Sequence, residues 1–262
     1  RNRTSPFAFT GNKFEFRMCG SSFSIAGPNI VLNTIVAETL REFADILENA
    51  DDFKAELSAL IKKTIKDHKR IVFNGNNYAE EWVEEAKKRG LSNLKNTVEA
   101  LPAFVSDKSI ELFTKHNVFT EKEIHSRYEI LLENYCKTLR IEALTMITLT
   151  KRDIIPACIS YQNELTQLLS SKKALGGFAS ALEEDLLGKI SNLSADLLDK
   201  LGKLEKAVAD SDSVSELLDL AKHYRDNVLA AMTELRAIVD ELETLVAKKY
   251  WPLPSYAECF IV

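Results

Sequence analysis

Glycine and proline are scarce, with nine and six in 262 residues, and long stretches contain neither. Few residues oppose helix formation, and a mostly helical protein follows. Cysteine is also rare. Its four copies, Cys19, Cys136, Cys158 and Cys259, are far apart, form no CxxC pair and have no histidine beside them. That excludes a zinc site of ordinary spacing and a disulfide framework, and predicts reduced, mostly buried thiols in a cytoplasmic protein. No apolar run is long enough to span a bilayer, so no membrane partner is expected. No signal-type apolar core follows the first residues, and the absence of an initiator methionine predicts a natural start that is missing or removed. Phosphate-loop, dinucleotide-binding, zinc-protease and nucleophile-elbow motifs are all absent. An excess of basic charge is absent too. Thirty-four basic against 39 acidic residues give a net charge of -5, which argues against a nucleic-acid-binding surface.

What is present is 45% hydrophobic and 28% charged residues, a composition that folds rather than stays disordered. Residues 1–26 stand apart, rich in Phe, Ser and Thr. Thr4–Thr10 and Lys13–Ser24, with Gly11-Asn12 between them, predict two short strands and a tight turn. From Pro28 the period turns helical through Ile30, Val31, Ile35, Val36, Leu40, Phe43 and Leu47, then through Phe53, Leu57, Leu60, Ile61 and Ile65. The helices from about residue 28 onward have their own apolar stripes and are expected to bury one another. Asn74-Gly75-Asn76 reads as a plain turn, and Tyr78–Arg89 as a helix stopped by Gly90. Short helices are expected over 93–100 and 106–115, either side of Pro102. Thr120 and Glu123 form a capping box that opens a long helix to at least Thr150, which Pro156 should kink or end. Gly176-Gly177 closes the next stretch. A long antiparallel helix hairpin spans 178–249. Its first arm carries Leu182, Leu186, Ile190, Leu193, Leu197, Leu201 and Leu204, a near-heptad core stripe. A second capping box, Ser213 with Glu216, opens its other arm. The fold class is thus mainly α with a short N-terminal β-hairpin.

Chemistry is best placed on the second strand. Side chains alternate across a strand, so Lys13, Glu15 and Arg17 share one face and Phe14, Phe16 and Met18 the other. A cation–anion–cation row over an apolar floor suits a site handling phosphate, a metal ion and a carboxylate. Spacing alone favours an ordinary exposed face with cross-strand charge pairs. Arg3, near the head of the first strand, reads equally as part of a solvated terminus. His68, His116, His125 and His223 have no partner at ligand or catalytic spacing and read as surface or satisfied histidines.

Whole phrases carry a resemblance. The run Asn2-Arg3-Thr4-Ser5-Pro6-Phe7-Ala8-Phe9-Thr10-Gly11-Asn12-Lys13-Phe14-Glu15-Phe16-Arg17, then Pro28-Asn29-Ile30-Val31-Leu32-Asn33-Thr34, resembles type III glutamine synthetases. So do Phe73-Asn74-Gly75-Asn76 with Glu81-Trp82, His125-Ser126-Arg127-Tyr128-Glu129, Glu142-Ala143-Leu144-Thr145-Met146 and Trp251-Pro252. The resemblance is dense over 1–165 and returns at the tail. It implies an α+β catalytic domain whose last part is residues 1–50, followed by a helical C-terminal region, 51–262. It also implies ligation of glutamate and ammonia at the expense of ATP, through γ-glutamyl phosphate, with Mg2+ or Mn2+ at the phosphates. Residue by residue, Glu15 falls at a metal-ligand position and Arg17 at a glutamate-binding arginine. Lys13 falls near the nucleotide, and Arg3 at a catalytic arginine on the phosphates. Ala8 departs from the pattern: the common bacterial form has a further arginine there. The family's small N-terminal domain and most metal carboxylates are expected upstream of residue 1. Its active sites form between neighbouring subunits of a homo-oligomeric ring, so this chain is expected to hold one wall of a site and to be inactive alone. A parent that has lost activity or takes another acid is a related alternative. A helical scaffold or oligomerisation protein without catalysis is the alternative from a different class.

Overall fold

The computed structural model describes residues 7–9, 14–16, 24–76, 79–254 and 256–259. By its contacts the chain divides into two compact units, 1–128 and 129–262. In the first, strands β1 (Phe7–Phe9) and β2 (Phe14–Phe16) pair antiparallel, with Phe7 opposite Phe16, Ala8 opposite Glu15 and Phe9 opposite Phe14. Everything else regular among the described residues is helical.

Helices α1 (Ala26–Leu47) and α2 (Phe53–His68) follow. Asp52 caps α2 by accepting from the Lys54 and Ala55 amides, satisfying N–H groups that have no partner within the helix. Helix α3 (Glu80–Lys88) ends in a Schellman turn: the Gly90 amide donates to Lys87 and that of Leu91 to Ala86. Gly90 has φ +71°, which a side chain would oppose. The helix expected over 93–100 is shorter, only α4 (Thr97–Ala100), because the Asn96 side chain accepts from the Glu99 amide and starts it there. A 3-10 segment, Leu101–Val105, accommodates Pro102, and Ser106 caps α5 (Asp107–Lys115). The core of this unit is small. Phe113 lies between Phe104 and Phe119, at centroid distances of 5.7 and 5.4 Å, with Leu60, Val98 and Ile124 also buried.

The expectation that the helices bury one another is met only in part by the first two. Thr34 is buried on α1 and Leu60 on α2, while Leu40, Phe53 and Ile65 remain 61%, 55% and 64% exposed. The reason is a shortage of partners: helix periodicity marks an apolar face but does not supply what covers it.

Helix α6 (Glu121–Leu149) opens on the expected capping box. The Thr120 amide donates to Glu123 Oε2 at 2.7 Å, and the Glu123 amide to Thr120 Oγ1 at 3.3 Å. The regular helix ends at Leu149, seven residues before Pro156. A π-helical turn, Thr150–Ile154, precedes α7 (Ile155–Leu175), with Pro156 in its first turn. The wider turn takes up the missing donor and the bulk of the ring before the ordinary pattern resumes.

The hairpin arms are α8 (Ala181–Asp210) and α9 (Leu217–His223), continued by a π turn, Tyr224–Val228, into α10 (Leu229–Leu245). Ile190, Leu197, Leu201 and Leu204 of α8 are buried with Leu235 and Leu242 of α10. Leu182, read as part of the same stripe, is 74% exposed, because it lies in the first turn of α8. The second capping box does not form. The Ser213 hydroxyl turns back to the Asp210 carbonyl at 2.8 Å, and the helix begins only after Glu216. Arg140 Nη1 fixes this turn from α6, donating to Asp212 Oδ1 at 2.9 Å, Ser211 Oγ at 3.3 Å and the Tyr224 hydroxyl at 3.4 Å. Beyond buried Trp251, the proline-rich tail gives way to a short helix α11, Tyr256–Cys259. No helix among the described residues is long and apolar enough to cross a membrane.

Candidate functional site

Of the four sequence-derived site residues, Glu15 is at the centre of β2, its backbone paired with that of Ala8. Arg3, Lys13 and Arg17 lie outside the described residues. Ala8, which departs from the pattern of the resemblance, is thus the cross-strand neighbour of Glu15, a relation given by the register and not by the spacing.

The described part of the unit contains two further constellations. In one, the Phe73 and Trp82 rings stack at 4.2 Å, and the Arg89 guanidinium lies 5.6 Å from the Trp82 ring centre. Arg89 Nη1 donates to the carbonyls of Val72 (2.9 Å) and Arg70 (3.3 Å), and Nε to Glu85 Oε1 (2.6 Å). This stack pins the start of the 74–76 loop. At Gly75 a Cβ would fall 2.7 Å from the tip of the Phe73 ring, so a larger residue there would displace that ring from its stack on Trp82.

The other constellation is electrostatic. Glu38 of α1 retains 17% of its side-chain surface and accepts from Arg41 Nε (3.0 Å) and Nη2 (2.9 Å), from Lys115 Nζ (2.5 Å), and meets His116 Nε2 at 2.7 Å. His116 is thus engaged, but with an acid 78 positions away, which sequence spacing does not reveal. The Arg41 guanidinium first, then the Lys115 ammonium, and to a lesser degree His116, hold the Glu38 carboxyl far below the usual carboxylate range, against the opposing effect of burial. Because the folded value lies below the unfolded one, the network stabilises the fold fully above the ordinary value of 4.5. That contribution is lost as pH falls below it and the unfolded chain takes up the proton first. Glu38→Gln is accordingly expected to lower the urea midpoint at pH 7 and to cost progressively less between pH 4.5 and 3. An equal cost at both ends of that range would remove Glu38 from the acid response.

No group of three or more His, Cys, Asp or Glu side chains suited to a metal ion occurs among the described residues. Cys136 and Cys158 are buried, with the Cys158 thiol pushed up to about 11 by burial. Cys259 is exposed, so two of the three described thiols are buried, in line with mostly buried cysteines, and Cys19 lies outside the described residues.

Comparison with known proteins bears on the whole chain. The family described as the glutamine synthetase C-terminal domain matches residues 56–173. A protein of Butyrivibrio fibrisolvens named glutamine synthetase is 43% identical over 98% of this chain. The chain carries a glutamine synthetase C-terminal domain. A type-3 glutamine synthetase of Dictyostelium discoideum is 39% identical and a glutamine synthetase of Bacteroides fragilis 32% identical, each over 98% of this chain. The chain spans 37%, 36% and 37% of these three relatives, respectively. Because the alignments cover nearly all of the chain, the likeness extends beyond the matched domain into the strand that carries Glu15 and into the helix hairpin.

Proposed function

We propose that the protein of which this chain forms part is an ATP-dependent glutamate–ammonia ligase. The observation that carries this reading is the 43% identity over 98% of the chain to a protein named glutamine synthetase. The relatives' names do not favour a non-catalytic scaffold. On this reading residues 1–50 end the catalytic domain, and 51–262 form the helical C-terminal region, consistent with a domain match that begins at residue 56.

Arg3 and Lys13 are assigned to the nucleotide phosphates, where fixed cations offset charge that builds on the transferring group. Arg17 holds the glutamate carboxylate, for which a guanidinium fork offers two parallel hydrogen bonds. Lys13 stands where the family has an arginine and presents a point charge instead of a fork. Glu15 is a hard oxygen donor of the kind that Mg2+ takes. With no acidic cluster among the described residues, the donor chemistry fits the metal in kind, while further ligands have to come from outside them. When bound, the metal would neutralise phosphate charge. The chain's own contribution is then a wall of cations and one carboxylate on a strand.

The same reading places the parent protein in a homo-oligomeric ring with shared sites. The 262-residue chain alone is expected to be helical by circular dichroism and to self-associate through the exposed faces of α1 and α2. It is further expected to make no glutamine from ATP, glutamate and ammonium, whereas the full-length protein does. Ligase activity from the chain alone, free of host enzyme, would show that the site is complete within it. An inactive full-length protein would instead favour a parent that has lost activity or takes another acid.

A further inference from the structure

Helix α2 has two unlike faces. Leu60 is buried, and half-buried Leu57 and Thr64 lie on the same side, at helical spacing from it. The opposite face is basic. Lys62, Lys66 and Lys69 recur at i, i+4 and i+7, with Lys54 about two turns before them and Lys63 and Arg70 alongside. Lys69 and Arg70 belong to a 3-10 turn, Lys69–Ile71, that continues the helix. All six side chains are exposed, and none makes an ion pair or hydrogen bond with a described residue. The two acids of α2, Glu56 and Asp67, stand about three turns apart on a separate row. In a chain of net charge -5 this stripe is a local reversal of sign.

Helix α3 extends the patch. Arg89 Nη1 reaches the Arg70 carbonyl at 3.3 Å, which brings the last turn of α3 to the end of the stripe. Lys87 and Lys88 of that turn are exposed, and neither pairs with a described residue. Apolar side chains run along the edge of the same face. Ile61 and Ile65, one turn apart, are 50% and 64% exposed, and Ile71 and Val72 just past the helix 60% and 59%.

A partner for this face has to offer negative charge and an apolar medium together. A nucleic acid offers charge and stacking bases, but the stripe has no aromatic ring to stack on them. A second copy cannot cover the stripe face to face without setting cations against cations. Self-association through the apolar side chains of α1 leaves it open. An anionic bilayer surface meets both needs, with phosphate charge at the headgroups and an acyl boundary just beneath.

We infer that α2 docks this face onto an anionic phospholipid surface, with Lys62, Lys66 and Lys69 among the headgroups and Ile61 and Ile65 at the acyl boundary. The helix lies in the plane of the surface and does not cross it, as no helix among the described residues is long and apolar enough to do so. The lack of a spanning run, from which no membrane partner was expected, does not bear on adsorption of this kind.

Co-flotation of the full-length protein with vesicles tests this docking, using neutral phosphatidylcholine and the same lipid with roughly one-third phosphatidylglycerol. Saturable binding is expected to the anionic vesicles alone, and should be lost at about 0.5 M salt. Each cation held at such a surface is worth about fivefold in affinity, so Lys62→Gln, Lys66→Gln and Lys69→Gln together should weaken binding roughly a hundredfold. Ile61→Ser with Ile65→Ser should weaken it roughly tenfold, since less apolar surface leaves water. Both variants change exposed side chains, and circular dichroism should report the same helicity as the parent. No binding to anionic vesicles, equal binding to neutral ones, or unchanged binding in either variant would each overturn the inference. Tighter binding of a uridine oligonucleotide, untouched by the isoleucine changes, would also overturn it and make the stripe a nucleic-acid surface.

Discussion

Glu15→Gln in the full-length protein is expected to lower glutamine formation on the order of a hundredfold at limiting magnesium, with the fold unchanged by circular dichroism. A bound metal supplies several kcal/mol of charge stabilisation in the transition state, and each ~1.4 kcal/mol is a factor of ten in rate. Glutamine keeps the size of the side chain and removes its negative charge, so the loss should shrink as magnesium is raised toward saturation. Arg17→Lys tests the substrate side of the same proposed site. It should raise the apparent Michaelis constant for glutamate more than that for ATP, because a two-point contact becomes a single one. Near-normal activity of Glu15→Gln at limiting magnesium would remove that residue from the metal role. A raised ATP constant with an unchanged glutamate constant would move Arg17 to the nucleotide.

The largest effect on stability is expected in the helix hairpin. Leu204 has no exposed surface, and Leu204→Ala should cost about 2–5 kcal/mol through lost burial and the cavity left behind. Leu182→Ala, on a side chain that is 74% exposed, should change stability by no more than about 0.5 kcal/mol. Urea titration followed by helical circular dichroism distinguishes the two. Similar costs at both positions would mean that the stripe is buried along its whole length, as its sequence period suggests. Unchanged stability in Leu204→Ala would mean that the hairpin interface contributes little.

Residues whose effect is local or repeated were legible in advance. The Thr120–Glu123 cap forms because both partners belong to one turn, and Gly90 ends its helix because only glycine takes that backbone without strain. The family, too, was legible in phrases such as Asn74-Gly75-Asn76 and Glu15-Phe16-Arg17. Features that depend on distant partners were not. Ser213 had the right spacing for a cap, yet its hydroxyl bonds backward to Asp210, a competition that spacing does not rank. Pro156 was read as kinking or ending the helix, and the π turn that precedes it was not foreseen. The pairing of His116 with Glu38 spans 78 positions, and no local pattern encodes it.

By itself, then, the sequence determined the helical class, most element starts and stops, the family and the strand on which Glu15 lies, because each rests on backbone chemistry within a turn or on residues in a contiguous phrase. Tertiary structure alone decided which apolar faces are covered, since Leu40 and Leu182 obey the same period as Leu204 but lack a neighbour to exclude water. It also decided the charge state of Glu38, set by cations on two helices, and the unpaired hydroxyl of Thr150, which depends on where the π turn falls. Burial and electrostatics are properties of what surrounds a group, and those surroundings are assembled only when distant segments meet.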